Sequence, residues 1–379
     1  MIYIQDDLGE LHWIFPTDAT IKSEINGAWS ASMRVPLDTL GEWDLIKPEA
    51  VVGMPSWLPG VQHFRIKRVR KTMDSFQCDM VPVFYDCAEE VFCVSKESLT
   101  TPAGPAAIFN GIVSDAGLSS KYSIITSGTI PAKTYSYKDV NLLQVICGDA
   151  DEGIENEPFI HRWGLEAIFS NYSVQLSSRY GVDNNFEIRY GKNLLGMNYT
   201  EDTSDVVTRI YPRGYNGKFQ TASYYVDSPL AGNYPFIKSR AITYENIMME
   251  EDASEEDLAD ENVTVCSTLA QLQTALTAAA NAEFTAGIDK PKVSITIDGF
   301  AQNVEGFYPT SFQGSSLPYT PQLGDTVWII NELLDIMTEA RVMSVTYDAV
   351  REEIKSMVID SVPYNYFKDV SRTINKVLR

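Results

Sequence analysis

The chain has 379 residues, 44% hydrophobic and 11% aromatic, with 51 acidic residues against 30 basic ones and a formal charge of −21. That length exceeds one ordinary core and predicts two to four domains. The charge excludes a tight nucleic-acid or anionic-membrane partner, because both require a positive footprint. It suits a protein kept soluble at high copy number, or one lining a channel through which DNA slides. No apolar run approaches the roughly 20 residues of a membrane helix; VWII at 327–330 is typical. The N-terminus, MIYIQDDLGE, carries acids where an export signal carries bases. The five cysteines, Cys78, Cys87, Cys93, Cys147 and Cys266, include no CxxC and predict buried free thiols in a reducing cytoplasm.

In chain order, the first hundred residues read as β. Trp29, Ala31, Met33 and Val35 alternate with Ser30, Ser32 and Arg34, and Phe64 and Ile66 with His63, Arg65 and Lys67. Phe76, Cys78 and Met80 repeat the period of two. Turn signals at Asn26-Gly27, Leu40-Gly41 and Pro59-Gly60 separate these runs. The stretch LTTPAGP at 99–105 marks a boundary. Beyond it the classes mix. A helix is predicted over 105–116, with Pro105 in its first turn and Gly117 at its end, and a shorter one over 138–147. Strands follow on Tyr172, Val174 and Leu176, then on Phe186, Ile188 and Tyr190.

Strands return at 206–211, with a turn at 212–217. An irregular stretch ends in the acidic run EEDASEEDLADE at 250–261, expected to be a mobile surface loop. A helix then starts at the capping-box pair Thr268 and Gln271, with Leu269, Leu272, Leu276 and Ala279 on one face. Strands resume at 293–297, 326–330 and 341–347. The terminal segment reads as an amphipathic helix whose Phe367, Val370, Ile374 and Val377 are spaced 3, 4 and 3, like an oligomer seam. The fold class is therefore α+β and β-rich. Two antiparallel β units (1–98, a small barrel or sandwich, and 203–228 with 290–362) are separated by an inserted α+β domain (99–202). A helix-containing insert (229–289) is expected to pack on that domain, and a C-terminal helix spans 363–379.

Chemistry is scarce. His12, His63 and His161 show no HExxH or HxH spacing, so no metal role is predicted. In GDADEGIENE at 148–157, Asp149 and Asp151 have calcium-loop spacing. A twelve-residue loop begun at Asp149 ends on Ile160, however, where a bidentate Glu is required; a solvated loop is expected, with weak calcium binding as the alternative. GKNLLG at 191–196 lacks the Gly-Lys-Ser/Thr ending of a phosphate loop, and no GxSxG occurs. No catalytic, cofactor-binding or metal-binding residue is predicted.

Six segments in order carry a resemblance. INGAWSASMRVPLD (25–38), VQHFRIKRVRK (61–71), FIHRWGLEAIFSNYSVQLSSRYG (159–181) with IRYGKNLLGM (188–197), TSDVVTRIYPRGYNG (203–217), LGDTVWI (323–329) and ARVMSVTYD (340–348) resemble the phage tail-associated lysin and prophage endopeptidase tail family. In that family an Arg-Trp-Gly strand leads to an Arg-Arg-Gly turn, which is Arg179-Tyr180-Gly181 here. The signature residues are Asn26, Gly27, Arg162, Trp163, Gly164, Gly191, Lys192, Asn193, Thr208, Arg209, Tyr211, Gly214, Gly324 and Asp325. All are read as structural: Asn26-Gly27, Gly214 and Gly217 sit where turns need positive φ, and Gly324-Asp325 leads tightly into a buried strand.

The resemblance implies a baseplate-hub-like fold, two small antiparallel β-barrel domains with an inserted α+β domain, assembling as a homotrimeric ring at the virion tail tip and built in the host bacterial cytoplasm. Its implied neighbours are the distal tail ring, tube, tape measure and fibre or receptor-binding proteins, and no cofactor is implied. Longer members append a peptidoglycan-degrading domain; with the chain ending at Arg379, no lytic activity is expected. The competing readings are a tail-associated peptidoglycan endopeptidase and a glycan-binding module using Trp13, Trp57 or Tyr224.

Overall fold

Period-two runs place apolar side chains on one face of a strand, and Trp29, Ala31, Met33 and Val35 are all buried. The computed structural model describes residues 1–6, 9–37, 42–93, 102–148, 157–191, 193–219, 223–259, 263–298 and 321–360. Lys192, the 149–156 part of the calcium-like loop and the 363–379 segment with Phe367, Val370, Ile374 and Val377 lie outside the described residues. The chain divides into two compact units. Unit 1 contains Met1–Asn198 and Ile295–Asp360, and unit 2 contains Tyr199–Ser294.

Unit 1 is built on a thirteen-stranded sheet. Its N-terminal strands are β1 (Ile2–Gln5), β2 (Leu11–Ile14), β3 (Asp18–Glu24), β4 (Ser30–Pro36), β5 (Val51–Pro55), β6 (Val61–Lys71) and β7 (Ser75–Pro82). The order runs from strand Glu353–Asp360 through Ile336–Asp348 to β3, β4, β7, β6, β5, β1 and β2. Strand Thr326–Asn331 pairs antiparallel with Ile336–Asp348 and parallel with Asp183–Arg189. Strands Met197–Asp202 and Lys292–Asp298 complete the sheet, and the boundary between the units falls within both.

Two barrels were expected; among the described residues no closed barrel is found. The first and last strands instead form successive parts of one sheet. Antiparallel pairing runs from Ser344 opposite Glu24 to Asp348 opposite Thr20. An isolated run of strands ending at β3 leaves a row of unpaired N–H and C=O groups, and this pairing satisfies them.

The rest of unit 1 is mixed. Strand Ser173–Ser177 lies between antiparallel Glu166–Ser170 and parallel Ser123–Ser127. Helix Pro105–Asp115 has Pro105 in its first turn, and Gly117 follows its end at φ 71°. Helix Leu142–Cys147 starts later than the expected 138, because Asn141 and Gln144 form a reciprocal cap with both bonds at 2.9 Å.

In unit 2, strand Arg209–Arg213 pairs with Val226–Asp227 and Ser239–Thr243, and Ile247–Met249 pairs with Thr264–Cys266. Helix Leu269–Ala286 begins at the expected Thr268–Gln271 cap and ends at Gly287, φ 95°. Its buried face repeats every four residues. Leu272 and Leu276 pack with Ile247 and Cys266, and Ala280 and Phe284 with Val207 and Ile210. Leu269, expected on this face, is exposed. The described part of the acidic run is not loop alone: Glu250–Asp252 forms a 3-10 turn and Glu255–Ala259 a short helix. Ser254 Oγ accepts the Asp257 N–H at 3.1 Å, and Lys218 pairs with Glu251 and, at 2.7 Å, Asp252.

Candidate functional site

The signature residues of unit 1 act as locks on backbone. Asn26 takes the left-handed conformation at φ 51°. Its buried side chain joins the β3–β4 turn to the 166–170 strand: Nδ2 donates to the Leu165 carbonyl at 3.1 Å, and Oδ1 accepts the Ala167 N–H at 3.0 Å. Gly27 was expected at positive φ and does not adopt it; a Cβ there would lie 2.5 Å from Glu24 Cγ, so close approach is its requirement. Gly214 is likewise at φ −85°, and a Cβ would lie 2.9 Å from the Ile247 carbonyl oxygen. Gly217 does adopt φ 71°.

Arg162-Trp163-Gly164, read as strand, ends a short helix, Phe159–Arg162. Gly164 at φ 61° allows its N–H to donate to the His161 carbonyl and the Leu165 N–H to the Ile160 carbonyl, a left-handed helix stop that only then releases the chain into strand. Trp163 Nε1 donates to the Pro131 carbonyl at 2.7 Å, and its ring packs on Tyr135 and Phe159. Asn193 closes the turn after Asp183–Arg189, accepting the Arg189 N–H at 2.8 Å and donating to the Glu187 carbonyl at 2.9 Å. Gly191 in that turn has φ 76°.

The densest junction surrounds Gly324-Asp325. The buried Asp325 carboxylate accepts the Val182 N–H at 2.8 Å and the Gln322 N–H at 2.9 Å. Gly181 and Gly324 touch backbone to backbone, both at positive φ; a Cβ on Gly181 would lie 2.1 Å from the Gly324 carbonyl carbon. Arg341 seals the junction. Its Nη1 and Nη2 donate to Glu166 at 2.5 and 2.7 Å, Nη2 also to the Tyr180 carbonyl at 2.6 Å, and Nε to the Gly324 carbonyl at 2.8 Å. Glu166 accepts the Tyr180 N–H at 2.6 Å. Beside it Arg179 binds Asp183 and Thr326, and its hydrogen bond holds the Asp183 carboxyl well below the usual range.

Sequence reasoning missed Glu166, Gly181 and Arg341. Their signal was a charged residue inside strands whose neighbours are apolar, and a glycine closing Arg179-Tyr180-Gly181.

Within unit 2, buried Thr208 accepts the Lys238 N–H at 2.9 Å. Arg209 donates to Asp227 at 2.6 and 2.8 Å and lies 3.8 Å from the Tyr225 ring centroid, which Tyr211 meets edge-on at 5.9 Å. The hydrogen bond from Arg209 lowers the Asp227 pKa.

Titratable groups elsewhere are held by neighbours. His63 lies between Asn171 Oδ1, at 2.7 Å, and Tyr3 Oη, at 2.9 Å. His12 pairs with Asp6 at 3.2 Å, and Asp6, Glu10 and His12 place ligand-type atoms within 4.8 Å of one another. Asp6 also accepts the Glu10 N–H at 2.8 Å, so its carboxylate is engaged by the turn and by the imidazole. All five cysteines are free and buried, and burial raises the Cys78 and Cys147 thiols to about 12. Of the three aromatics considered for glycans, Trp57 is buried with Nε1 donating to Ser23, Tyr224 donates to the Gln273 carbonyl, and Trp13 alone is among the exposed large side chains. The arrangement is suited to fixing loops in register, with carboxylates, guanidinium and amides directed at backbone or at each other.

This β-rich α+β fold is that of phage tail proteins. It is similar to prophage tail protein gp18 of Listeria monocytogenes EGD-e, at TM-score 0.59 and 15% identity over 100% of this chain and 99% of that one. It is also similar to the MuSo2 43 kDa tail protein of Shewanella oneidensis (0.57, 8%, 95% and 96%) and to a tail protein of Neisseria meningitidis MC58 (0.53, 10%, 98% and 98%). Residues 182–362, just under half of the chain, match the model of the prophage endopeptidase tail family, the family that its motifs resemble. The motifs at 25–38, 61–71 and 159–181 precede that match. No curated protein sequence matches the chain.

Proposed function

We propose that the chain is a structural hub protein of a prophage tail tip, assembled in the host cytoplasm into a threefold ring between the tail tube and the fibre or receptor-binding components. The observation that carries this reading is likeness over nearly the whole of both chains to two prophage tail proteins and a further tail protein. A family signature used for loop locking rather than for a nucleophile and base agrees with a structural role. Light scattering at several concentrations tests it: a mass three times the 42.3 kDa chain is expected, and a monomer throughout overturns the ring. The family's name mentions an endopeptidase, which supports a second reading. Clearing of host cell walls in a zymogram by this chain would establish that one instead.

A further inference from the structure

Five large apolar side chains stand in solvent at one end of unit 1's sheet. Leu333, Leu334 and Met337 belong to the turn and strand after Thr326–Asn331 and are 74%, 60% and 71% exposed; Tyr190 and Leu195 flank the turn after Asp183–Arg189 at 51% and 71%. The turn at 331–335 is held by its own polar groups. Asn331 Oδ1 accepts the N–H groups of Leu333 and Leu334 at 3.1 and 3.3 Å, and Asp335 sits at φ 54°. The Tyr190 N–H donates to the Ile330 carbonyl at 2.9 Å, and Arg189 reaches Glu332 at 3.1 Å, so the two turns are neighbours. Single exposed apolar residues need no explanation, but five on two neighbouring turns mark an interaction site. Among the described residues its surroundings are acidic: Glu332, Asp335 and Glu339 are exposed, and Arg189 is already bonded to Glu187 and Glu332.

We propose that this end of the sheet docks a different tail protein, whose contact face presents apolar side chains ringed by lysine and arginine. The inference rests on the tail-component reading above and adds the surface and the chemistry of its partner. A second copy in a two-fold contact would oppose Glu332, Asp335 and Glu339 to their own counterparts, and in a ring the neighbouring copy would bring another face of a chain whose formal charge is −21; both set acid against acid, an arrangement that interfaces avoid. An apolar centre with a complementary charged rim is the usual anatomy of a specific contact.

Tail particles purified from an induced lysogen provide the test. Mass spectrometry first asks whether the chain is present; its absence overturns the tail-component reading and this proposal with it. If it is present, amides over 190–195 and 331–337 should exchange at least about tenfold more slowly in particles than in the free chain. A zero-length carbodiimide, which joins carboxylates to lysine amines, should link Glu332, Asp335 or Glu339 to a lysine of another tail protein. Leu334→Asp should fold with an unchanged melting temperature yet lose that link. Equal exchange in particle and free chain, or links confined to this chain's own lysines, overturns the proposal while leaving the tail reading standing.

Discussion

Asn26 combines two properties that separate by substitution: a left-handed backbone and a side chain bonded to two backbone groups. Asn26→Ala loses both bonds and strains the backbone, for an expected destabilisation of about 2–3 kcal/mol. Asn26→Gly should be milder by about 1 kcal/mol, since glycine adopts that φ freely; urea titration of both checks the difference. Arg341→Met leaves the half-buried Glu166 without its cation and should cost about 1–3 kcal/mol, part of which Glu166→Gln in the same chain restores. Gly181→Ala meets the Gly324 backbone and should exceed either. Asp183 and Asp227 are each held below their ordinary 3.8 by an arginine hydrogen bond. Their contribution is full above that value and disappears as pH falls through the lower folded values. Acid unfolding should therefore steepen below about pH 4, and Asp183→Asn should flatten the slope. The sequence marks Asn26 as a turn residue, but nothing local shows that its amide reaches residues 165 and 167, over a hundred positions away.

Elements governed by local signals were legible. Pro105 and Gly117 bracket a real helix, and Thr268 with Gln271 caps another. Thr268→Ala should cost about 1 kcal/mol through the lost cap, and Leu276→Ala about 2–5 kcal/mol through a cavity under the helix. Hydrogen exchange should show both losses concentrated in 199–294, with any change centred on β1–β7 counting against unit 2 as a separate core. Arg162-Trp163-Gly164 was misread because a four-residue helix has too few positions to show a period, whereas a strand follows immediately. Leu269 was misassigned because the first turn of a helix can carry an apolar residue that its neighbours never cover. The sheet's long-range register was not legible at all, since alternation tells which face of a strand is apolar but not which strand lies beside it.

For the molecule as a whole, the thiols report integrity. Burial suppresses thiolate at Cys78 and Cys147, so iodoacetamide at pH 8, a unit scale about four below their values, should label the folded chain slowly and all five cysteines in denaturant. Rapid native labelling of Cys78 would mean that the β4–β7 pairing is open. The pairing of β3 with Ile336–Asp348 has a further consequence, for how the protein is made. During translation β3 leaves the ribosome more than three hundred residues before its partner is synthesised. At about 5–20 residues per second, its outer edge waits roughly twenty seconds to a minute, exposed to any other strand nearby. Sequence-distant pairing also slows closure once the partner arrives. Truncated messages should therefore yield aggregating N-terminal fragments, and co-expressed chaperone should raise soluble yield most in cells where elongation is slow.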